Sequence, residues 1–227
     1  MSRIVASACK FCRREAAKLF LKGDRCYTDK CAFERRAYPP GQHGQSRMKF
    51  SEFALQLREK QKTKRYYGVF ERQFRKYFQD ATKIKGETGL ALLQRLETRL
   101  DNVVYLLGFA ASRREAQQIV KHNHILVNGK RVNLPGFAVS AGDVVEVVEK
   151  SRQMNKVMAA IESVKRREMP QWLDADHGAF KGLVKDVPAR ENIGLEVEEN
   201  MIVESVSYTH LRAHETKANL VCRLLLE

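Results

Sequence analysis

The sequence lacks the signatures of catalysis. Its 227 residues contain no glycine-rich phosphate loop, no Gly-x-Ser-x-Gly elbow and no His-Glu-x-x-His pair. No small-molecule substrate and no enzymatic activity are therefore expected. No apolar run approaches the roughly 18 residues that span a bilayer, so no membrane partner is expected. The first 15 residues, MSRIVASACKFCRRE, lack the apolar stretch of a signal peptide. A cytoplasmic protein follows as the expectation, and disulfides are unexpected in that reducing compartment. There is no internal repeat and no low-complexity tract. Acidic residues are outnumbered, with 27 Asp+Glu against 41 Lys+Arg, a formal net charge of +14. The corresponding pI of about 9.7 points to a polyanionic partner. The excess is uneven. Residues 1–97 carry 23 basic against 10 acidic side chains, and residues 98–227 carry 18 against 17. The first part is an electrostatic element, and the second is nearly neutral with local basic faces.

Cysteine is scarce but concentrated. Four of five cysteines fall in the first 31 residues as Cys9-x2-Cys12-x13-Cys26-x4-Cys31. Two close pairs across a loop suit a tetrahedral site, each pair supplying two thiolates from one tight turn. Neighbouring Arg and Lys should lower the thiol pKa values and favour metal. The expectation is structural zinc, with an iron–sulfur centre as the lesser alternative. The competing readings are four unrelated thiols, or a redox pair that here lacks its strand–helix context. After the cysteines, Pro39-Pro40-Gly41 and Gly44 impose an extended loop carrying Arg35, Arg36, His43, Arg47 and Lys49. Such a loop can order against a nucleic-acid backbone, and its composition fits a flexible linker equally well.

Ser51 is placed to cap a helix running to Tyr66, with Phe50, Phe53, Ala54 and Leu57 on its apolar side. Arg58, Lys60, Lys62, Lys64 and Arg65 crowd its remainder, offset only by Glu59, and call for a counter-charge. Phe70, Phe74, Tyr77 and Phe78 share a helical face in the next segment and read as core rather than base-stacking platforms. Leu90, Leu93, Leu96 and Leu100 begin a helix that is expected to continue into the central stretch.

That stretch, Thr98 to Glu149, organises the chain. Leu100, Val103, Val104 and Leu107 mark one helix face, and Gly108 ends it. Ser112 stands three residues before Glu115, a capping-box spacing that predicts a helix to Lys121. Ile125–Val127, Asn128-Gly129 and Lys130–Val132 predict strand, tight turn, strand, and a last strand follows over 144–148. Arg113, Arg114, Gln117 and Lys121 are spaced to share a helix face, and His122, His124, Asn128 and Lys130 follow at once. A basic helix next to a basic hairpin would form one cationic surface for phosphates, and a merely solvated face is the competing reading. Asp101 reads as the partner of a nearby cation. Beyond Glu149, Val157, Ala160, Ile161 and Val164 form a helical stripe, and 195–204 reads as one or two short strands.

Several runs then stand in a specific order: CKFCRRE, GDRCYTDKCAFERR, YPPGQHG, LREKQK, YGVFERQFRKYF, LETRLDNVVYLLGFAASRREAQQIVKHNHILVNGKRVNLP, GDVVEV and EKSR. Together they closely resemble the bacterial small-subunit ribosomal protein S-four family, in its zinc-binding form. The resemblance implies an α+β fold: a mainly helical domain with an inserted RNA-binding module of two helices and short antiparallel strands, plus a zinc-bearing N-terminal appendage. It divides the chain into a zinc-binding segment and basic loop (1–45), the helical domain's first part (46–97), the module (98–157) and the helical domain's second part (158–204). It implies a ribosome-associated component that binds small-subunit (16S) rRNA directly, nucleates assembly, influences translational accuracy, touches neighbouring small-subunit proteins and in some bacteria represses its own mRNA. The cysteines carry over as zinc ligands. The basic positions of the YPPGQHG, LREKQK and SRREAQQIVKHNHILVNGKR runs carry over as RNA contacts, namely His43, Arg58, Lys60, Lys62, Arg113, Arg114, Lys121, His124 and Lys130; Gln117 and Asn128 beside them, and the basic Arg35, Arg36, Arg47, Lys64, Arg65 and Arg72, are expected to contact RNA as well. Residues 205–227 depart from the family and resemble translated read-through of a sequencing adapter, so a non-native tail is expected. The alternatives outside the ribosome are an RNA-binding accessory, an RNA-modifying enzyme that appends this module, or a zinc-dependent DNA-binding regulator. The enzyme needs a catalytic domain of roughly 100 residues, and the regulator needs a dimerisation element and a recognition helix.

Overall fold

A computed structural model describes residues 7–46, 49–164 and 169–207. The fold is α+β, a helical part joined to an antiparallel sheet carrying its own helices. The chain opens with α1 (Ala8–Arg14), a 3-10 turn (Gly23–Tyr27) and the short α2 (Ala32–Arg35). The long α3 (Glu52–Tyr66) starts at Ser51, whose Oγ accepts the Ala54 N–H at 3.3 Å. Then come α4 (Glu71–Ala81) and α5 (Thr88–Glu97). The helix expected to run from Leu90 into the central stretch is broken at Thr98-Arg99. Arg99 is extended and bridges Ala138, while the Val139 N–H donates to the Thr98 carbonyl at 2.9 Å. The chain re-enters as α6 (Leu100–Leu106) and α7 (Arg113–Lys121). Ser112 caps α7 through its Oγ, and the Glu115 carboxylate reaches back to the Ala111 N–H, one residue before the cap.

Strands β1 (Ile125–Val127), β2 (Lys130–Arg131) and β3 (Val144–Val147) follow. Asn128 and Gly129, at φ 50° and 76°, make the β1–β2 turn. After α8 (Asn155–Val164), β4 (Leu173–Asp176) and β5 (Lys181–Val184) complete one antiparallel sheet in the order β2-β1-β3-β5-β4. Val145 opposes Val127 on one side and Gly182 on the other.

This corrects two expectations about the C-terminal part. Residues 158–204 do not all return to the helical part: Trp172, Leu173 and Val184 are buried in the same core as Val103, Ile125 and Val147. The reason is close packing. A Cβ built on Gly182 would lie 2.5 Å from the Leu107 methyls, so β5 lies close against the end of α6 and a side chain at 182 would displace the fully buried Leu107. The strands read over 195–204 are instead irregular chain at 193–198 and a helix, α9 (199–207). Its Ile202 joins Leu195 and Val197 in the helical core beside Phe74, Leu92, Leu93 and Leu96. That core also contains Leu19, Leu21 and Cys12, with Leu19 fully buried. The N-terminal segment is thus integral to the helical part rather than an appendage. Of the tail expected to be non-native from Ser205, Ser205 is buried and Val206 packs against the same core. Residues 208–227, Cys222 included, lie outside the described residues. Among the described residues no helix is long and apolar enough to cross a membrane.

Gly182→Val should lower stability by roughly 1–3 kcal/mol through overpacking against Leu107. A urea titration of the purified protein reads this as a lower midpoint with an unchanged slope.

Candidate nucleic-acid interface

A cleft of about 530 Å³ opens where the helical part meets α7. The α3 end and the turn into α4 supply Arg65, Tyr66, Tyr67, Gly68 and Phe70, and α7 supplies Arg113, Arg114, Gln117, Gln118 and Lys121, with His122 just beyond. The N-terminal segment closes one side with Phe11 and Leu21. It also abuts the loop before α7, for a Cβ on Gly23 would meet the Ala111 carbonyl at 2.6 Å. Five residues expected to contact RNA therefore converge: Arg65, Arg113, Arg114, Gln117 and Lys121.

They do not play the same part. Arg114 is exposed, and Gln117 and Lys121 are half-buried. Arg113 is only 8% exposed. Its guanidinium lies 3.8 Å from the Tyr66 ring centroid and 4.5 Å from that of Tyr105, and its Nε donates to the Asn102 side-chain oxygen at 2.8 Å. The buried Glu97 faces it, accepting from the Tyr67 hydroxyl at 2.6 Å and from the Asn102 amide. Burial pushes the Glu97 carboxyl up, against the attraction of Arg113 and those hydrogen bonds. The expectation that Arg113 faces RNA is thereby corrected. An aromatic box and a buried carboxylate hold it inside, because α7 turns its first residue toward α6 once Ser112 caps it.

The basic run on α3 is corrected likewise. Lys60 is 4% exposed and donates to Glu71 at 2.9 Å, and Lys64 donates to the other Glu71 oxygen at 2.8 Å. Burial alone would raise the Glu71 carboxyl, but the Lys64 and Lys60 hydrogen bonds bring it down to about 2. Arg58 and Arg65 pair with Glu15, and Lys62 sits 3.5 Å from Glu59. Burial pushes the Glu15 carboxyl up, and Arg65 and Arg58 oppose it. The counter-charge that five crowded cations require comes from within the fold. Asp101 meets its cation in the buried Arg99, which also reaches the Tyr77 hydroxyl.

The other candidates lie outside the cleft. Arg35, Arg36 and His43 are exposed on the N-terminal segment, where the Arg35 side chain donates to the Asp29 carbonyl. Arg72 is exposed on α4 and Lys130 on β2, while Arg47 lies outside the described residues. His124 is engaged internally, its Nδ1 2.8 Å from the Ser151 hydroxyl, and burial followed by His122 pushes its pKa down. Asn128 donates to Asp143 and accepts from the Val144 N–H, so its amide fixes the hairpin. The sequence reading missed Phe70, which the cleft exposes at 39%, and the exposed Arg131 beside Lys130. Position one after Lys130 in the turn-flanking strand was signal enough for Arg131.

Cys12, Cys26 and Cys31 are buried, Cys9 is half-buried, and all four are free thiols. Burial pushes the Cys12 and Cys26 thiols up and the other cysteines add to it, while backbone hydrogen bonds at Leu19 and Lys22 and, at Cys26, the Lys22 charge oppose it. Four thiols are the donor chemistry that zinc takes. Among the described residues, however, no group of three or more His, Cys, Asp or Glu stands in an arrangement that could hold a metal ion.

Three outcomes follow from this geometry. Arg113→Ala should cost about 3–5 kcal/mol of stability by leaving Glu97 buried without its cation, and Arg113→Lys should not restore it because the stacked guanidinium is lost; thermal melts check both. Arg114→Ala should leave the melting temperature unchanged and reduce the slope of log K against log [salt] for RNA by about one. Glu71 is held below its ordinary 4.5, so its stabilisation is complete above that pH and disappears as pH falls toward about 2. Glu71→Gln should therefore cost roughly 2 kcal/mol at pH 7 and flatten that part of the acid-unfolding curve, followed by circular dichroism.

Comparison with known proteins agrees across nearly the whole chain. Residues 3–97 match the Ribosomal protein S4/S9 N-terminal domain, and residues 98–145 match the S4 domain. The chain is 67% identical over 207 residues to small ribosomal subunit protein uS4A of Bdellovibrio bacteriovorus. It is 58% identical to uS4A of Myxococcus xanthus and 56% identical to uS4 of Geobacter sulfurreducens, again over 207 residues. Each alignment covers 91% of this chain and all of the relative. With both domain families present in order and full-length relatives at this identity, the chain belongs to the bacterial small ribosomal subunit protein uS4 family.

Proposed function

We infer that the protein is a structural, non-enzymatic component of the small ribosomal subunit that binds its rRNA directly, in the cytoplasmic ribosome. The observation that carries the reading is the cleft walled by both parts of the chain, with Arg114, Lys121, Gln117 and His122 on its α7 side. Structured RNA is recognised by phosphate, 2′-hydroxyl and shape, and a fixed cationic cleft between two rigid parts suits that task. Neighbouring small-subunit proteins are further partners. Nucleation of subunit assembly and influence on translational accuracy are the finer roles proposed with it. Repression of its own mRNA rests on the family resemblance alone.

Zinc is proposed as a structural cofactor of residues 9–31, with Cys9, Cys12, Cys26 and Cys31 as the thiolates that would hold it. The two-pair spacing and the burial of three of the four support this. Bound zinc would offset the cost of ionising buried thiols.

The protein should co-sediment with small subunits at moderate salt and bind a 16S 5′-region transcript with an affinity that falls steeply as salt rises. Failure to bind that transcript, with DNA binding intact, would overturn the reading in favour of a regulator. Purified protein should contain near-stoichiometric zinc, lost in Cys26→Ser/Cys31→Ser; metal analysis that finds none removes the cofactor from the proposal.

A further inference from the structure

The cleft between α7 and the α3–α4 turn is too aromatic to be only a phosphate track. Its wall combines the exposed Phe70 with the tyrosines that hold Arg113. Phe70 stands apart from the aromatics it shares a sequence pattern with. Phe74 and Phe78 are buried, while Phe70 is 39% exposed. Its backbone carbonyl accepts the Phe74 N–H to start α4, which any side chain at this position permits. Beside it Gly68 adopts φ +66°, and a Cβ there would meet nothing within 4 Å. The chain thus turns sharply without placing a side chain in that space.

We propose that this cleft receives one unpaired nucleotide extruded from the RNA, its base stacked on Phe70 and its phosphates facing Arg114 and Lys121. The proposal rests on the RNA-binding reading above and names the part of the RNA the cleft takes. A duplex cannot enter it: A-form RNA offers a wide, shallow minor groove suited to flat or convex surfaces. The volume of about 530 Å³ falls within the roughly 300–1,000 Å³ of pockets that enclose small molecules. Unpaired RNA bases are commonly bound by stacking on aromatic rings, with polar side chains reading their edges. Gln117 and Gln118, each with amide donors and a carbonyl acceptor, line the same cleft. The cationic side chains on α7 supply the charge complement that a neutral apolar ligand would not need.

Two synthetic hairpins test this, one fully paired and one identical but for a single unpaired adenosine. Binding of each to the full-length protein is measured by fluorescence anisotropy across a salt series. The wild type should bind the bulged hairpin about tenfold more tightly, within the range that one stacked base supplies. Phe70→Ala should abolish that preference while leaving the paired hairpin's affinity, its salt slope and the circular dichroism spectrum unchanged. Phe70→Tyr should retain the preference. Equal wild-type affinity for the two hairpins, or a preference that survives in Phe70→Ala, overturns the proposal with the RNA-binding reading intact. Loss of wild-type binding to both hairpins and to the 16S transcript overturns both readings.

Discussion

The relative placement of the two halves depends on one buried cation. Arg113 begins the principal helix of the inserted module, yet its guanidinium is seated against Tyr66 at the end of α3, with Tyr67 and Glu97 of the helical part around it. Asn102 and Tyr105 on α6 complete the enclosure. A planar cation between aromatic faces, facing a buried carboxylate, tolerates little rotation or translation. The exposed face of α7 is therefore fixed relative to α3 and α4. Without this constraint the cleft would be two independent surfaces joined by a linker, and each would bind RNA with its own orientation. The buried Arg99, shared between Asp101 and the Tyr77 hydroxyl, makes a second connection of the same kind.

Charge is managed on two scales. The basic excess of the first 97 residues looks like an uninterrupted field when only the sequence is considered. In the fold, Glu71 and Glu15 take up four of the five cations crowded at the end of α3. These pairs hold the N-terminal segment and α4 against α3, so much of that charge is structural. The cations left facing solvent are fewer and more widely placed, among them Arg114 and Lys130. Non-specific attraction comes from net charge, and docking in one register comes from the few groups the fold fixes in position.

Legibility in the sequence followed the range of the interactions. Elements set by local rules were visible: the Ser51 and Ser112 caps, the Asn128-Gly129 turn and the stripe over Leu100 to Leu107 all stand where the pattern placed them. Elements set by distant contacts were not. Strands β4 and β5 are four residues each and mix charged with apolar positions, so no period distinguishes them from loop. Only pairing with β3 makes them strands. The 193–198 segment and α9 were misread because Leu195 and Val197 alternate like a strand face, while their burial with Ile202 is decided by Phe74, Leu92 and Leu96 roughly 100 residues earlier. The site was legible as a composition and not as a surface. Spacing grouped Arg113 with Arg114, Gln117 and Lys121, but helical spacing alone does not say which of them meets the core. Phe70 was hidden for the converse reason, as its periodicity with Phe74 and Phe78 matched a core face that ends one turn short of it.

The order in which the chain closes its cores bears on how it folds during synthesis. The helical core needs Leu195, Val197 and Ile202 to cover Leu19, Phe74 and Leu92, and the sheet of the module is incomplete until β5 joins β3. Neither core is finished by the residues that start it. The segment bearing Cys9 to Cys31 leaves the ribosome first and waits for partners made some 170 residues later. Closing so long a loop costs entropy that only late contacts return. Until then the nascent chain presents its most cationic stretch with its apolar residues uncovered. A polyanion that engages this stretch early would shield it and hold the loop ends together, serving as a folding template before it becomes a binding partner.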